Sequence, residues 1–255
     1  MARLSVVVVT RNEEEILEQC LESVKWADEI IVVDSHSTDK TVEIAKRYTD
    51  KVFLVEKDVP DANINKNLGL EKATGDWILF LDADEIVTPE LRAEIEEILK
   101  KDDKTFDGYL VLRKNLFLGK WMKHGGWWGY AANVELVRRG KGRWPVGMHQ
   151  TLKVDGNVGY LKNPVIHNTQ RSITQWITKM NEYTSVEAKE LYKGNVEFKK
   201  ERVVFFPIAV FFRNYFIYRG YKDGFHGFVA AALAACYEFF RNVKLWENQL
   251  KNQKQ

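Results

Sequence analysis

Cysteine is scarce in this chain, with two residues, Cys20 and Cys236, among 255. Two thiols cannot form the disulfide framework of a small secreted protein, so their number favours a reducing compartment. A large excess of one charge is also lacking, because 38 Lys and Arg residues are nearly balanced by 36 Asp and Glu residues. A net charge of +2 argues against a nucleic-acid-binding protein dominated by phosphate contacts.

The N-terminal residues lack the apolar segment of an export signal, because Met1-Ala2-Arg3 runs directly into a short β-branched stretch. We therefore expect a cytoplasmic protein. Internal repeats and low-complexity segments are also lacking, and a hydrophobic content of 45% is sufficient for a buried core. A chain of this length forms one large domain or one domain with an appendage.

An uninterrupted apolar run of about 20 residues, the length of a membrane-spanning helix, is missing as well. The C-terminal third instead contains two shorter apolar stretches, 203–212 and 225–240, with basic residues around them. Two interpretations remain open. These helices pack on the rest of the chain or on a second copy of it, or they contact the cytoplasmic face of the inner membrane. In the second case aromatic rings enter the headgroup region and basic side chains meet anionic lipid.

Strand and helix patterns alternate over about the first 100 residues. Apolar β-branched runs predict buried strands at 4–9, 29–33, 52–55 and 77–81, with helices between them. Asn12 is the predicted N-cap of the first helix, and Thr88 with Pro89 begins the helix after the fourth strand. This order predicts an α/β fold with a mainly parallel sheet, in which ligands bind beyond the carboxyl ends of the strands.

Asp82 and Asp84 directly follow the apolar run 77–81. Side chains two positions apart on an extended segment point the same way, so both carboxylates converge at the end of the strand. Oxygen ligands suit Mg²⁺ or Mn²⁺, and a metal held by one or two carboxylates usually completes its shell with water and substrate phosphates. The pair therefore suggests diphosphate chemistry, although an Asp-x-Asp also occurs in ordinary solvated turns.

Five motifs, in order along the chain, resemble those of family 2 glycosyltransferases with the GT-A nucleotide-diphospho-sugar transferase fold. They are residues 7–14, 32–39, 66–70, 73–77 and 81–85. Four other segments are similar to the branch that adds β-1,4-linked glucose to the inner core of bacterial lipopolysaccharide. They are residues 26–30, 125–128, 138–140 and 148–150. The resemblance implies inverting transfer of a hexose, with glucose favoured, from a UDP-sugar to a lipopolysaccharide-core or other lipid-linked saccharide.

The same resemblance implies roles for individual residues. The nucleotide would be bound by Thr10, Asn12, Glu13, Asp34, Lys66, Asp82 and Ala83. The Mg²⁺ or Mn²⁺ ligands would be Asp82, Asp84 and His149. The sugar and acceptor would contact Trp127, Trp128, Arg138 and Arg139. Each role has a local alternative, such as a helix cap for Asn12, a turn former for Asp34, a solvated helix residue for Lys66 and core packing for the tryptophans.

Gln150 departs from the resemblance at the position of the general base. Relatives carry an acidic residue here, after the histidine of the segment, and an amide cannot take a proton. Three explanations stay open: an engineered substitution that traps a complex, a shift of the base to Asp61 or Glu135, or a binding protein without turnover. His36 also departs, because it replaces a common glycine beside the nucleotide pocket.

The sequence thus predicts a metal-dependent GT-A hexosyltransferase in residues 1–170, with an amphipathic helical appendage in 171–255 for membrane association or oligomer packing. The rival classes are a sugar-nucleotide-binding protein without turnover and a sugar nucleotidyltransferase. The second rival normally needs a glycine-rich loop after the first strand, and residues 10–14 contain no glycine. The same missing glycines argue against a Rossmann dehydrogenase.

Overall fold

The structure is a computed structural model, and it describes residues 1–55, 62–102, 104–127, 133–145 and 151–252. The chain divides into two compact units. Unit 1 comprises Met1–Lys114 and Ala131–His167, and unit 2 comprises Asn115–Tyr130 and Asn168–Gln255. The functional division at residue 170 stays a prediction.

A seven-stranded sheet forms the centre of unit 1. Its strands are β1 (Leu4–Thr10), β2 (Glu29–Asp34), β3 (Val52–Leu54), β4 (Trp77–Asp82), β6 (Gly108–Val111), β9 (Asn133–Arg138) and β12 (Val158–Tyr160). Their order across the sheet is β12-β6-β9-β4-β1-β2-β3. The four strands predicted from the sequence pair in parallel, whereas β9 is antiparallel to both of its neighbours. The sheet is therefore mixed, with a parallel part that carries the predicted site.

Helices cover this sheet. They are α1 (Leu17–Val24), α2 (Thr41–Lys46), α3 (Ala62–Lys72) and α4 (Pro89–Lys101). Alternate side chains of β1 enter different cores, because successive side chains on a strand point to opposite faces. Val6 and Val8 pack with α1 and α4 residues in one core, and Val7 packs with β2 residues such as Ile31 in the other. Since both faces are covered, the edge at the carboxyl ends of the strands is where polar side chains gather.

The predicted cap of α1 was wrong, whereas that of α4 is confirmed. The first helix begins at Leu17, and the residue before it makes no side-chain cap hydrogen bond. Asn12 instead has a left-handed φ of 52° and bonds to the loop after β2. Short polar side chains tolerate this backbone region and compete for local hydrogen bonds. In α4, Thr88 Oγ1 accepts from the N–H of Leu91 at 3.1 Å, and Pro89 occupies the first turn.

Short strands complete the two units. They are β5 (Glu85–Ile86), β7 (Arg113–Phe117), β8 (Lys120–Trp121), β10 (Gly142–Arg143), β11 (Lys153–Val154) and β13 (Val165–Gln170). In unit 1, β5 pairs antiparallel with β13, which places His167 opposite Glu85. In unit 2, β7 and β8 form a hairpin.

Helical elements make up most of unit 2. They are α5 (Ile173–Lys193), α6 (Lys200–Phe212), a π-helical turn (Arg213–Ile217), a 3-10 turn (Gly220–Asp223) and α7 (Phe225–Asn252). The long helix α7 contacts both α5 and α6. Within the described ranges, no helix combines the length and apolar character that crossing a bilayer requires.

Candidate functional site

The carboxyl ends of β1, β2 and β4 lie side by side in unit 1. The strand register pairs Thr10 with Asp34, and Val9 with Asp82. Parallel strands end at the same edge of a sheet, so the structure brings Thr10, Asp34 and Asp82 to one edge, as the sequence predicts. Ala83, which follows Asp82, is buried.

Asp34 shapes the turn after β2. One carboxylate oxygen accepts from the N–H of Ser37 at 2.8 Å, and the other accepts from the Ser37 hydroxyl at 2.5 Å. His36, inside this turn, has a φ of 61°. A left-handed φ is strained for a residue with a Cβ, so a glycine would suit this position better than histidine.

The loops after β1 and β2 are bonded to each other. The N–H of Asn12 donates to Ser37 Oγ at 2.8 Å, and its side-chain oxygen accepts from the N–H of Thr38 at 2.8 Å. The N–H of Glu13 donates to Thr41 Oγ1 at 2.9 Å. Asn12 and Glu13 therefore hold the two loops together as one wall beside the strand ends.

Two buried oxygen atoms near this wall have no hydrogen-bond partner within the described part of the chain. They are Thr10 Oγ1 and Asn65 Oδ1. The amide nitrogen of Asn65 donates to Ser35 Oγ at 2.7 Å, which fixes the side chain beside the β2 turn. Buried polar atoms are nearly always paired in native proteins, so these two oxygens leave hydrogen-bond acceptors available at this edge of the sheet.

Lys66 projects from α3 to the end of β4. Its Nζ lies 3.0 Å from Asp82 Oδ1 and 4.5 Å from the centre of the Trp144 ring. Asn67, on the same helix, bonds in both directions to the backbone of Trp144, at 2.8 and 3.0 Å. The side chain of Lys66 is 11% exposed, so it is not a solvated helix residue. Trp144 was not predicted from the sequence, because no motif connects it with α3.

Arg113, at the start of β7, is a second residue that the sequence does not predict. Its guanidinium contacts three carboxylates: Glu85 at 2.5 Å, Glu135 at 3.0 Å and Asp82 at 3.3 Å. Partial burial opposes ionisation of Asp82, but Lys66 and Arg113 outweigh it and hold the pKa of Asp82 below its ordinary value. Arg113 and Lys66 therefore keep Asp82 ionised and fixed in place.

Glu135 is a buried partner of Arg113. Its side chain is 2% exposed, and burial raises its pKa to about 7 against the attraction of Arg113. A general base must reach the proton that it removes. The geometry therefore disfavours a shift of the base to Glu135. Asp61, the other carboxylate considered for that role, lies outside the described residues.

Asp84 lies between β4 and β5 and is 7% exposed. Its carboxylate is 3.5 Å from His167 Nε2, which the pairing of β5 with β13 brings to this position. Burial opposes protonation of His167, but Asp84 outweighs it and raises the pKa of His167. No group of three or more His, Cys, Asp or Glu side chains within the described ranges is arranged as a complete metal site. A single well-placed carboxylate nevertheless fits a cation that takes its other ligands from a diphosphate and water.

The other predicted residues fall into two sets, those outside the described ranges and those that the structure describes elsewhere. Trp128, His149 and Gln150 lie outside the described residues. Arg138 pairs across the sheet with Trp77, at the amino end of β4 and so away from Asp82. Its guanidinium is 2.8 Å from Asp102 and stacks 4.4 Å from the centre of the Trp77 ring.

Arg139 is exposed next to Arg138, and its N–H donates to the carbonyl of Asp76 at 2.9 Å. Trp127 belongs to unit 2, where its ring packs 5.7 Å from that of Phe117. The partial burial of Trp127 leaves part of its surface for a ligand.

Comparison with known proteins identifies the family and supports the fold. The model of the family "Glycosyl transferase family 2" matches residues 5–153. An uncharacterized glycosyltransferase of Rickettsia felis is 31% identical over 99% of this chain and 92% of its own length. The lipopolysaccharide core biosynthesis glycosyltransferase LpsC of Rhizobium meliloti is 29% identical over 96% of this chain and 92% of its own length.

A solved structure is similar in fold. The crystal structure of S. aureus TarS 1–349 in complex with UDP-GlcNAc has a TM-score of 0.51 and 15% identity, over 98% of this chain and 92% of that chain. At this identity the likeness concerns the fold alone, and it agrees with the GT-A fold expected from the motifs. Together with the family match over more than half of the chain, these findings show that the chain is a glycosyltransferase and belongs to glycosyl transferase family 2.

Proposed function

We propose that this enzyme transfers a hexose, glucose in the first instance, from a UDP-sugar to a lipopolysaccharide-core or other lipid-linked saccharide, with inversion. The observation that carries the proposal is the group of polar residues at one sheet edge: Thr10, Asp34, Lys66, Asp82 and Asp84. The name of LpsC supports the acceptor class, and the donor class follows from the resemblance of the nucleotide-binding motifs, while TarS, a protein of similar fold, binds UDP-GlcNAc.

Different residues at this edge bind different parts of the donor. The loops joined by Asn12 and Asp34 form the wall for the nucleotide. Asp82, held by Lys66 and Arg113, faces the ribose. Lys66 also brings a positive charge to the diphosphate, whose negative charge grows as it leaves the anomeric carbon.

Asp84 would hold a Mg²⁺ or Mn²⁺ ion, with His149 as the second ligand that the resemblance implies. When bound, the ion would neutralise the charge that develops on the leaving diphosphate. Asp84 suits this role better than Asp82, because Asp82 already contacts two cationic side chains. We therefore assign Asp82 to the nucleotide and Asp84 to the metal.

The donor class is tested by a thermal shift panel of UDP-, GDP- and TDP-sugars, each with Mn²⁺ and with EDTA. We expect UDP-hexoses to raise the Tm in the presence of Mn²⁺, with UDP-glucose giving the largest shift. Equal shifts from all three nucleotide classes would contradict the assignment. Binding of UDP-glucose without transfer to any truncated lipopolysaccharide would instead favour the sugar-nucleotide-binding protein.

The proton acceptor is tested by Gln150→Glu, which restores a carboxylate with almost no change in side-chain volume. If this position faces the acceptor hydroxyl, transfer to truncated lipopolysaccharide should rise about 10²-fold, while the Kd for UDP-glucose stays constant. That pattern is expected when a restored interaction acts in the transition state alone. A variant no faster than the parent would place the base elsewhere, and Asp61→Asn would be the next test.

Unit 2 supports the membrane part of the proposal, a peripheral location on the cytoplasmic face of the inner membrane. Many of its large apolar side chains are exposed. Those between residues 204 and 250 are Val204, Phe205, Phe206, Ile208, Phe212, Phe216, Ile217, Tyr218, Tyr221, Phe225, Phe228, Phe239, Phe240, Trp246 and Leu250. Arg213, Arg219 and Lys222 are exposed among them. Aromatic side chains with basic neighbours suit a lipid surface with anionic headgroups.

Two of the basic residues beside the apolar stretch 225–240 are paired with α5 or with a neighbour on α7. Arg241 binds Glu187 and Glu238, and Lys244 donates to oxygens of Asn181 and its neighbours on α5. The basic contribution therefore comes from the segment around 213–222 instead of from the middle of α7.

Vesicle flotation tests the membrane contact. The parent should float with vesicles containing anionic lipid, more weakly at high salt, and the double variant Ile217→Glu/Phe225→Glu should not. Tyr160→Glu is the matched control, since Tyr160 is a 73% exposed aromatic residue of unit 1. Equal flotation of the parent and the double variant would argue against the membrane contact and favour packing of these helices on the rest of the chain or on a second copy of it. A change from a dimer to a monomer in the double variant would assign the surface to a second copy of the chain.

A further inference from the structure

Asp223 connects two parts of unit 2. Its side chain is 5% exposed and accepts from the backbone N–H groups of Lys123 and His124, at 3.1 and 2.8 Å. Its other carboxylate oxygen lies 3.2 Å from His124 Nδ1. The carbonyl oxygen of Asp223 accepts from Lys120 Nζ at 2.5 Å. One residue of the 3-10 turn thus holds the segment 120–124 through four contacts.

The glycines after this segment continue the connection. The N–H of Gly125 donates to the carbonyl of Tyr218 at 2.8 Å. Gly125 and Gly126 have φ values of 69° and 85°, and a Cβ on Gly126 would lie 3.4 Å from the Tyr218 ring. Such φ values strain any residue with a Cβ. The path of the loop that leads to Trp127 therefore depends on both glycines and on its attachment to Tyr218 and Asp223.

The same part of unit 2 carries some of its most exposed apolar side chains. We call Phe216, Ile217, Tyr218, Tyr221 and Phe225 the aromatic corner, and their exposed fractions run from 37% to 76%. Asp223 lies within this stretch of sequence and is itself buried.

The 3-10 turn within the aromatic corner is also closely packed on α7. A Cβ on Gly227 would lie 1.9 Å from the carbonyl oxygen of Gly220, so the first turn of α7 contacts the 3-10 turn directly. The corner and the loop therefore form one connected structure, in which Asp223 makes most of the polar contacts.

We infer that Asp223 is a positioning residue that fixes the loop carrying Trp127 relative to the aromatic corner. The inference rests on the proposed function, in which the corner contacts lipid and Trp127 contacts the acceptor. A lipid-linked saccharide has its lipid in the bilayer and its reacting hydroxyl above it. A fixed spacing between the lipid contact and the sugar contact lowers the cost of placing that hydroxyl, since small misplacements reduce the rate strongly.

Steady-state kinetics with Asp223→Ala and Asp223→Asn test this role. With truncated lipopolysaccharide in vesicles as the acceptor, we expect Asp223→Ala to raise the acceptor KM about tenfold. The KM for UDP-glucose and vesicle flotation should change less than about twofold, because the variant alters neither the donor edge nor the exposed aromatics. Asp223→Asn should lie between, since an amide oxygen still accepts both N–H groups but more weakly than a carboxylate.

Glu187→Gln is the matched control. Glu187 accepts from Tyr237 at 2.7 Å and from Arg241 at 3.3 Å, between α5 and α7. This variant removes a partly buried carboxylate from the same unit without touching the loop, so both KM values should stay at the parent level. An equal rise of donor and acceptor KM in Asp223→Ala, or an unchanged acceptor KM, would overturn the inference.

Hydrogen exchange tests the connection without any turnover. Amides of residues 123–125 should exchange about tenfold faster in Asp223→Ala and about threefold faster in Asp223→Asn, and at the parent rate in Glu187→Gln. If Asp223→Ala does not fold, the exchange rates of Asp223→Asn test the connection. Unchanged exchange at these amides would overturn the connection. Faster exchange in a protein that transfers sugar to none of the acceptors would instead contradict the proposed function while leaving the connection in place.

Discussion

The two edges of the unit 1 sheet both bury carboxylates, but they stabilise them differently. At the amino edge, Glu29 at the start of β2 is surrounded by donors. The Ser5 hydroxyl and Lys51 Nζ contact it, and Thr74 donates through its N–H at 2.8 Å and its hydroxyl at 3.0 Å. Burial opposes ionisation, but these donors outweigh it and lower the pKa of Glu29 to about 2.

At the carboxyl edge, three carboxylates share the guanidinium of Arg113. Burial raises the pKa of Glu85 and of Glu135, although Arg113 contacts both. Glu135 Oε2 has no hydrogen-bond partner among the described residues, as is also true of Thr10 Oγ1.

The contrast separates an edge whose carboxylate is fully paired from the edge at which we propose the donor site. Fully paired carboxylates stabilise a fold, whereas crowded acids with raised pKa values cost stability and are frequent at functional sites. The amino edge thus anchors loops to strands. At the carboxyl edge, three carboxylates share one guanidinium, and the proposed donor and metal ion would bring further charges to this group. The predictions below separate these two roles.

Asp84→Ala should have the largest effect, because it removes the carboxylate assigned to the metal. We expect Mn²⁺-dependent affinity for UDP-glucose to fall at least about 10²-fold, with the Tm within about 5 °C of the parent, since the fold loses the contact with His167 but no apolar side chain. Titration calorimetry with and without Mn²⁺ measures the change. Glu29→Gln is the control and should keep the parent affinity. A Mn²⁺ dependence that survives in Asp84→Ala would remove Asp84 from the metal site.

Much of this edge is predictable from the sequence, because its geometry follows from local pattern. Apolar β-branched runs locate β1, β2 and β4, and parallel pairing then places Asp34 and Asp82 together. Arg113 is not predictable in this way. It begins a short strand far along the chain, and tertiary packing alone shows that its charge balances three neighbouring acids.

The wrong prediction of Asn12 as the N-cap of α1 also results from a long-range contact. Asn12 suits a helix N-cap by residue type, but a bond to Thr38 on a different loop determines its conformation. His167 reaches Asp84 through pairing of β5 with β13, two strands that are about 80 positions apart in the chain. Such long-range pairings carry no local signal.

Glu29→Gln should give the next largest effect, on stability. Gln keeps the volume but replaces one acceptor oxygen with an NH₂ group that faces the donors of Lys51 or Thr74. We expect the free energy of unfolding at pH 7 to fall by about 3 kcal/mol, as measured by urea denaturation. A fall below about 0.5 kcal/mol would mean that the paired carboxylate does not anchor the amino edge.

The pH dependence of that difference sharpens the comparison. Because folding lowers the pKa of Glu29 to about 2, its contribution is complete above the unfolded-state pKa of about 4.3 and is lost as the pH falls towards 2. The gap in free energy of unfolding between the parent and Glu29→Gln should therefore shrink by about 2 kcal/mol between pH 5 and pH 2.5. Urea denaturation of both proteins across this range measures it. A gap that stays constant would contradict the lowered pKa.

Glu135→Gln should have the smallest effect, although Glu135 is as deeply buried as Glu29. The amide oxygen can accept from Arg113 in place of Oε1, and the NH₂ group takes the position of Oε2, which has no partner to lose. Arg113 keeps Glu85 and Asp82, so no cation is left unpaired. We expect the free energy of unfolding to change by less than about 1 kcal/mol and turnover by less than about tenfold. Urea denaturation and transfer assays on the same preparation measure both. A loss of 10²-fold or more in turnover at unchanged stability would make Glu135 the proton acceptor, and the carboxyl edge would then contain the general base that Gln150 cannot provide.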